Sequence, residues 1–368
     1  MPSELVLKRE ERAALGLQAL YCQYGYSPYK MSKFEEYDLY VRNKSFLVSD
    51  HIITFTDMGG RLMALKPDVT LSIVKNSRDV PEKVHKVYYN ENVYRVPRGG
   101  LSFREIMQVG LECLGDIDSY NVAEVLILAA KSLEQISPDY VLDVSHLGVI
   151  SALIDEMGVS SAGRQRILQC VGEKNPHGID EVCVSEGIDT ARAASLKSLV
   201  TAENGCEDIL VALDGCGEAA AELRGILAAV RNCVPAARVR VDLSVVNDMN
   251  YYNGIVFKGF VNGVSSSILS GGQYDNLMRK MGRQSGAIGF AVYLDLLEEL
   301  ETRVADYDTD VVLLYDDGAD AAEVCRAVDA LVAEGQRVIA RKTVPHKLKY
   351  KTLMKLSAGE VTTLEAHA

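Results

Sequence analysis

Apolar residues recur along this chain with two different periods, and the changes of period divide it into segments. The first twenty residues, "MPSELVLKREERAALGLQAL", turn charged and helical within ten positions. Leu15, Ala19, Leu20 and Tyr24 fall at helical spacing there, which predicts an opening helix. Gly25 and Pro28 predict a loop after it. "IITFTDMGGRLMALKPDVTLSIVKN" reads as a hairpin: a strand to Thr56, a turn at Asp57 to Gly60, a second strand, and a helix that Asp68 or Thr70 can cap. "KVYYNENVYRV" and "FREIMQVGLECLG" predict two more strands, joined by a glycine loop from Pro97 to Ser102.

From Tyr120 to about Val241 the pattern changes to long amphipathic stretches such as "VAEVLILAAKSLEQI", "GVISALIDEMG" and "EAAAELRGILAAVRN". The first is expected to cover a sheet, and residues from about 148 to 235 to form a helical insertion. Strand patterns return at "ARVRVDLSVV", "GIVFKGFV" and "SSSILSGGQYD", with a helix expected over "FAVYLDLLEEL", Phe290 to Leu300. The expected sheet is mostly antiparallel and discontinuous in sequence, an α+β architecture. After Tyr307 a small β-α-β unit follows, closed by a last strand near "KYKTLMKLSAGEVTTLEA". The expected domains are therefore 1–308, carrying the insertion, and 309–368.

Composition narrows the function classes. With 48% hydrophobic and 24% charged residues the chain has the profile of a soluble globular protein. The longest apolar runs fall short of the roughly 20 residues a bilayer crossing needs, and the N-terminus shows no apolar signal core, so a cytoplasmic location is expected. Eight scattered cysteines without a C-x-x-C pair read as buried reduced thiols, and six histidines without i, i+4 spacing offer no helical zinc site. Neither a structural metal nor a cofactor is expected. A net charge of −12 argues against extended nucleic-acid binding. The dense basic run "RKTVPHKLKYKTLMK", Arg341 to Lys355, reads as a solvated face on a strand and turn.

Four polar clusters interrupt otherwise apolar segments: "KPDVT" at Lys66 to Thr70; Arg95 with Arg104, Gln108 and Glu112; "NDMNYYNG" at Asn247 to Gly254; and "SGGQYD" at Ser270 to Asp275. Gln108 and Glu112 are four apart in a strand, so both point to one face, and a carboxylate on a buried sheet face calls for a cation. An ammonium group or protonated imidazole would serve, as would an internal arginine.

Together these segments resemble, in order from about residue 10 to 300, the catalytic core of histidyl-tRNA synthetase and of its non-synthetase relative, the regulatory subunit of ATP phosphoribosyltransferase. "FTDMGGRLMALKPDVT" looks like the family's hairpin ending in Arg-Pro-Glu-Gly-Thr, and "FREIMQVGLECLG" like its motif 2 strand. "NYYNGIVF" looks like its Asp-Tyr-Tyr signature, and "SGGQYDNLMRKMGRQSGAIGFAV" like its second histidine motif running into motif 3. The resemblance implies a class II aminoacyl-tRNA synthetase-like core with a truncated anticodon-binding-like C-terminal domain. It also implies a histidine pocket. Asp68 and Thr70 would lie near the amino group, Arg95, Gln108 and Glu112 would face the ligand, and Tyr251, Tyr252 and Tyr274 would wall it.

The departures from the family pattern fall on the charges that activate an amino acid. The histidine-specific arginine aligns with Asn247, and the motif 3 arginine with Leu296; in motif 2 Arg95 survives, but its acidic partner is Pro97 and a loop arginine is Ser102. The motif 1 proline is Ser32. At roughly 3 kcal/mol of transition-state stabilisation each, two lost arginines would slow adenylation by about 10⁴-fold. The resemblance therefore implies a non-catalytic regulatory subunit, with a short-form ATP phosphoribosyltransferase catalytic subunit as partner, histidine as effector, self-association, and no tRNA. The alternatives are a divergent synthetase-like enzyme that adenylates an amino acid, kept open by Arg95 and Arg104, and a free-standing histidine sensor. Purified protein is expected to show no pyrophosphate exchange with ATP and histidine above background; robust turnover would favour the enzyme.

Overall fold

The computed structural model describes residues 7–47, 51–77, 83–96, 102–201, 217–246, 251–300, 307–344 and 347–367. The chain divides into two compact units, Met1–Leu300 and Glu301–Ala368.

Among the described residues, eleven strands of the first unit form two sheets. They are β1 (Ser27–Pro28), β2 (Phe34–Glu36), β3 (Thr54–Thr56), β4 (Leu62–Leu65), β5 (Val84–Arg95), β6 (Arg104–Gly115), β7 (Tyr140–His146), β8 (Val239–Val241), β9 (Ile255–Val261), β10 (Leu269–Gln273) and β11 (Gly286–Tyr293). The large sheet runs β1-β5-β6-β11-β10-β9-β7-β8. It is parallel only at its two ends, where β1 meets β5 and β7 meets β8, and antiparallel between. The α+β expectation of a mostly antiparallel sheet, discontinuous in sequence, is borne out. The hairpin β3–β4 pairs with β2 as a small three-stranded sheet.

One face of the large sheet is covered by helices Arg9–Gln23 and Ser119–Ile136. The odd residues Val109, Leu111 and Cys113 of β6 join Leu17, Tyr21, Leu126, Leu133 and Phe290 in the main core. Asp118 starts the Ser119–Ile136 helix by accepting a hydrogen bond from Asn121 N, and Ser137-Pro138 ends it because the residue before proline is steered away from helical geometry. Tyr21 buries its hydroxyl against Ser132 Oγ at 3.0 Å, which satisfies both groups.

Several expectations are corrected. The opening helix buries Ala14, Leu17, Leu20 and Tyr21; of the expected stripe Leu20 is buried and Tyr24 packs partly buried against the core, while Leu15 is 54% exposed and Ala19 is exposed too. The expected helix over Phe290 to Leu300 is instead the end of β11, through Tyr293, followed by a 3-10 helix, Leu294–Leu300. Cross-strand pairing of Phe290 with Leu111 and Val292 with Val109 overrides the helical periodicity there. Within the supposedly helical stretch, Tyr140–His146 is a strand that joins the sheet between β8 and β9. The expected burial of the cysteines holds for Cys113 and Cys183, but Cys22, Cys233 and Cys325 are exposed on helices; Cys206 and Cys216 lie outside the described residues.

The second unit is a four-stranded sheet, β13 (Val338–Arg341), β12 (Thr309–Leu314), β14 (Tyr350–Ser357) and β15 (Glu360–Ala366) in spatial order, with helix Ala321–Ala333 packing Val324, Val328 and Leu331 onto it. The expected single last strand is a hairpin, β14 and β15, turning at Ala358 and Gly359, both at positive φ.

Gly110 in β6 is paired with Tyr89 of β5, whose ring lies across it. A Cβ at Gly110 would sit 2.3 Å from Phe290 O and 2.5 Å from the Tyr89 hydroxyl. Gly110→Ala is therefore expected to destabilise the protein by about 1 to 3 kcal/mol, read as a lower denaturant midpoint; an unchanged midpoint would refute this account of the glycine.

Candidate functional site

The even residues of β6 point away from the helices into a cavity of about 400 Å³. All eight residues expected to contact a ligand line it: Asp68, Thr70, Arg95, Gln108, Glu112, Tyr251, Tyr252 and Tyr274.

The segment Lys66 to Thr70 is held in place from behind. Lys66 is 1% exposed and pairs with Glu91 Oε2 of β5 at 2.5 Å, while its carbonyl accepts from Tyr94 N. Burial draws the Lys66 pKa down, and Glu91 opposes that shift. Asp68 Oδ1 accepts from Leu71 N at 2.8 Å, so this carboxylate caps the Thr70–Asn76 helix as well as lining the cavity. Thr70 then donates its hydroxyl to Glu112 Oε1 at 2.6 Å, and Tyr274 donates to Glu112 Oε2 at 2.6 Å. Glycine is required beside this carboxylate, since a Cβ at Gly289 of β11 would lie 1.8 Å from Glu112 Oε2.

The aromatic wall is continuous. Tyr251 packs against Tyr252 at 4.5 Å between ring centroids, against Tyr274 at 5.7 Å and against Phe46 at 5.8 Å. Gly272 makes room for Tyr252, because a Cβ there would meet its ring at 2.7 Å. A clasp fixes the tyrosines' segment: Asn253 donates to Asp275 Oδ2 at 2.9 Å, and Asp275 N donates back to Asn253 Oδ1 at 2.8 Å. Arg95 is 6% exposed with its guanidinium 5.9 Å from the Tyr293 ring.

Two acids are thus buried in one cavity. Burial raises Asp68, against the pull of Leu71 N–H and the Arg95 charge. Burial also pushes Glu112 up to about 8; its hydrogen bonds from Thr70 and Tyr274 oppose the shift, and Asp68 adds to it. A cation placed between Asp68 and Glu112 would relieve both.

The model of the histidyl-tRNA synthetase family matches residues 3–297. This chain belongs to that family. Among curated relatives, the ATP phosphoribosyltransferase regulatory subunit of Clostridium kluyveri is 28% identical over 335 residues, covering 87% of this chain and 85% of the relative. Two solved structures share the fold. One is an ATP phosphoribosyltransferase regulatory subunit/histidyl-tRNA synthetase from Bacillus halodurans, with a TM-score of 0.72, 24% identity, and 90% and 88% of the two chains covered. The other is a chain of the ATP phosphoribosyltransferase complex from Thermotoga maritima, with a TM-score of 0.62, 18% identity, and 77% and 96% covered. The resemblance to the regulatory-subunit branch of the synthetase family is borne out by these relatives.

The family's activation motifs can be located on this site. Leu296, which the resemblance aligns with the motif 3 arginine, lines the cavity and makes that part of the wall apolar. Asn247, which it aligns with the histidine-specific arginine, and Pro97 lie outside the described residues. Ser102 is exposed and not among the lining residues, whereas Arg104 is. Sequence reasoning missed Tyr89, Lys258, Tyr293 and Asp295, which also line the cavity. Asp295 is raised by burial, with Arg95 and Arg104 opposing, and its Oδ1 has no hydrogen-bond partner among the described residues. Its place in "YLDLL", next to Leu296, was the available signal.

Because Glu112 stands higher in the folded protein than the usual 4.5, its contribution to stability is fully present below pH 4.5 and is lost as pH rises through about 8. Glu112→Gln removes the ionisable group, so the variant should gain on the parent by about 2 to 4 kcal/mol between pH 5 and 8.5. Urea denaturation at both pH values measures it; a difference that does not grow with pH would mean that Glu112 is ionised throughout.

Proposed function

We propose that this chain is the regulatory subunit of ATP phosphoribosyltransferase at the first step of histidine biosynthesis, that it binds histidine in the cavity, and that it sets the activity of a short-form catalytic subunit. The observation that carries the reading is the Thr70–Glu112–Tyr274 cluster under the tyrosine wall, in a cavity that is also lined by an apolar Leu296 where the resemblance places the synthetase motif's arginine. The α-ammonium group suits Asp68 and Thr70, while Glu112 and the tyrosine hydroxyls suit an imidazole, whose nitrogens need fixed partners. The cavity retains recognition groups and lacks one of the charges that adenylation needs, so its occupancy has to be read out by another chain. The names of the relatives support that partner.

Self-association belongs to the same reading. The small sheet places Phe34, Phe55, Met63 and Leu65 on one face by register, with Phe34 47% and Phe55 38% exposed and their rings edge to face at 5.5 Å. A second copy would cover that apolar face. Six described cysteines are unbridged, which fits a reducing cytoplasm, and no described helix is long and apolar enough to cross a membrane.

Mixing this protein with a short-form catalytic subunit from the same organism tests the proposal. The two should co-elute, and the rate with ATP and phosphoribosyl pyrophosphate should change on mixing and change again with histidine. A ligand of equal affinity for both states would shift nothing, so histidine sensitivity is part of the claim. Glu112→Ala and Tyr252→Phe should weaken histidine binding by calorimetry roughly tenfold or more, the loss expected from about 1.5 to 3 kcal/mol. If the chains neither associate nor alter the rate, the free-standing sensor is the better reading; if both variants bind histidine normally, the effector site is elsewhere in the complex.

A further inference from the structure

A second cavity, of about 450 Å³, lies on the helix-covered side of the large sheet, opposite the first. It is a slot between helices Ser119–Ile136 and Gly217–Cys233, closed at one end by Tyr24. The first helix presents Tyr120, Ala123, Glu124, Ile127 and Lys131, a stripe at helical spacing, and the second presents Gly225, Ile226, Ala229 and Cys233. Small side chains at Ala123, Gly225 and Ala229 keep the helices from filling the space. A Cβ at Gly225 would meet nothing within 4 Å. Its size is that of a small-molecule site.

The charges in the slot are unequally satisfied. Glu124 is 4% exposed, and its carboxylate is fully engaged: Lys86 at 2.5 Å and Tyr26 at 3.4 Å on Oε1, and Tyr120 at 2.7 Å on Oε2. Lys86 also stands over the rings of Tyr26 and Tyr120, at 5.5 and 5.7 Å. Lys131, two turns further along the helix, is half-buried with its ammonium 5.9 Å from the Tyr24 ring and no carboxylate partner among the described residues. Among the described lining residues, the one acid is neutralised and the one remaining cation is not, so the apolar walls are left with a net positive end.

We infer that this slot is a second ligand site, separate from the histidine-type cavity, that takes a small amphipathic anion: a flat apolar body between the two helices, with a carboxylate, sulfonate or phosphate against Lys131. Ile127, Ile226 and Ala229 offer apolar surface to the body, and the Tyr24 ring lies under the Lys131 ammonium. An ammonium already held near an aromatic face is positioned to form a charge-assisted contact. A cationic or neutral polar ligand finds no free acceptor at Glu124.

The probe is 8-anilinonaphthalene-1-sulfonate, with the uncharged N-phenyl-1-naphthylamine as its control, titrated into the full chain by fluorescence. The sulfonate should bind saturably, one per chain. Gly225→Leu should abolish binding of both probes; the open space at that position and the gain in helix propensity keep this variant folded, which circular dichroism checks. Lys131→Glu should weaken the sulfonate at least tenfold and leave the uncharged probe within twofold. Glu112→Gln should leave both unchanged, which separates this site from the first. Absence of saturable binding, or binding that survives Gly225→Leu, overturns the inference. Loss of association with the catalytic subunit in Gly225→Leu, without saturable probe binding in the parent chain, also overturns it and assigns the slot to a protein partner.

Discussion

The two-sidedness of strand β6 is the constraint on which the rest of the first unit depends. Lying between β5 and β11, it must satisfy two environments with alternate residues: Val109, Leu111 and Cys113 face the helices, and Gln108 and Glu112 face the cavity. A carboxyl group on the second face is tolerable only if its neighbours hold it and leave it space. Thr70 and Tyr274 supply the hydrogen bonds, and Gly289 supplies the space. The pinning of Lys66 to Glu91 and the Asn253–Asp275 clasp bring those partners from segments far apart in the chain. A one-residue slip of β6 would bury Glu112 among the helices and open the core to the cavity.

The cavity's electrostatics follow from the same arrangement. Two acids, Asp68 and Glu112, are held above their ordinary range by burial, and Arg95 opposes the shift only at Asp68. In an environment that disfavours its own carboxylates, a cation bound between them would relieve both. The cavity is also lined by Arg104, Lys258 and Asp295, which are mixed in charge, and by the apolar Leu296. Membership of the synthetase family thus fixes a scaffold and a pocket shape, while individual side chains at the motif positions decide whether activation chemistry is available.

The large elements were legible from periodicity, and their failures share a cause. "IITFTDMGGRLMALKPDVT" folds as the expected hairpin, with Gly60 at positive φ in its turn. In the opening helix Leu20 and Tyr24 face the core as expected but Leu15 does not, because Leu15 and Leu17 are equally apolar and only packing into the cluster that holds Val109 and Leu111 selects between them. Phe290 to Tyr293 and Tyr140 to His146 each carry residues that suit either state; pairing with β6 and β9 makes them strands.

By itself the sequence determined the family, through motifs in a fixed order, and the resemblance carried with it the eight cavity residues; the polar pattern alone marked Arg95, Gln108 and Glu112 in their strands. It also exposed the lost arginines, since a charge deleted at a motif position is visible residue by residue. Only the tertiary structure decided that Glu112 lies between Thr70 and Tyr274, that Asp295 and Tyr293 close the same cavity, and that Gly225 and Ala229 leave a second one against the Ser119–Ile136 helix. These are contacts between segments as many as 162 positions apart, as for Tyr274 and Glu112. Local pattern carries no information about such distances; sheet order and helix packing set them, and with them the burial that moves a carboxylate's pKa.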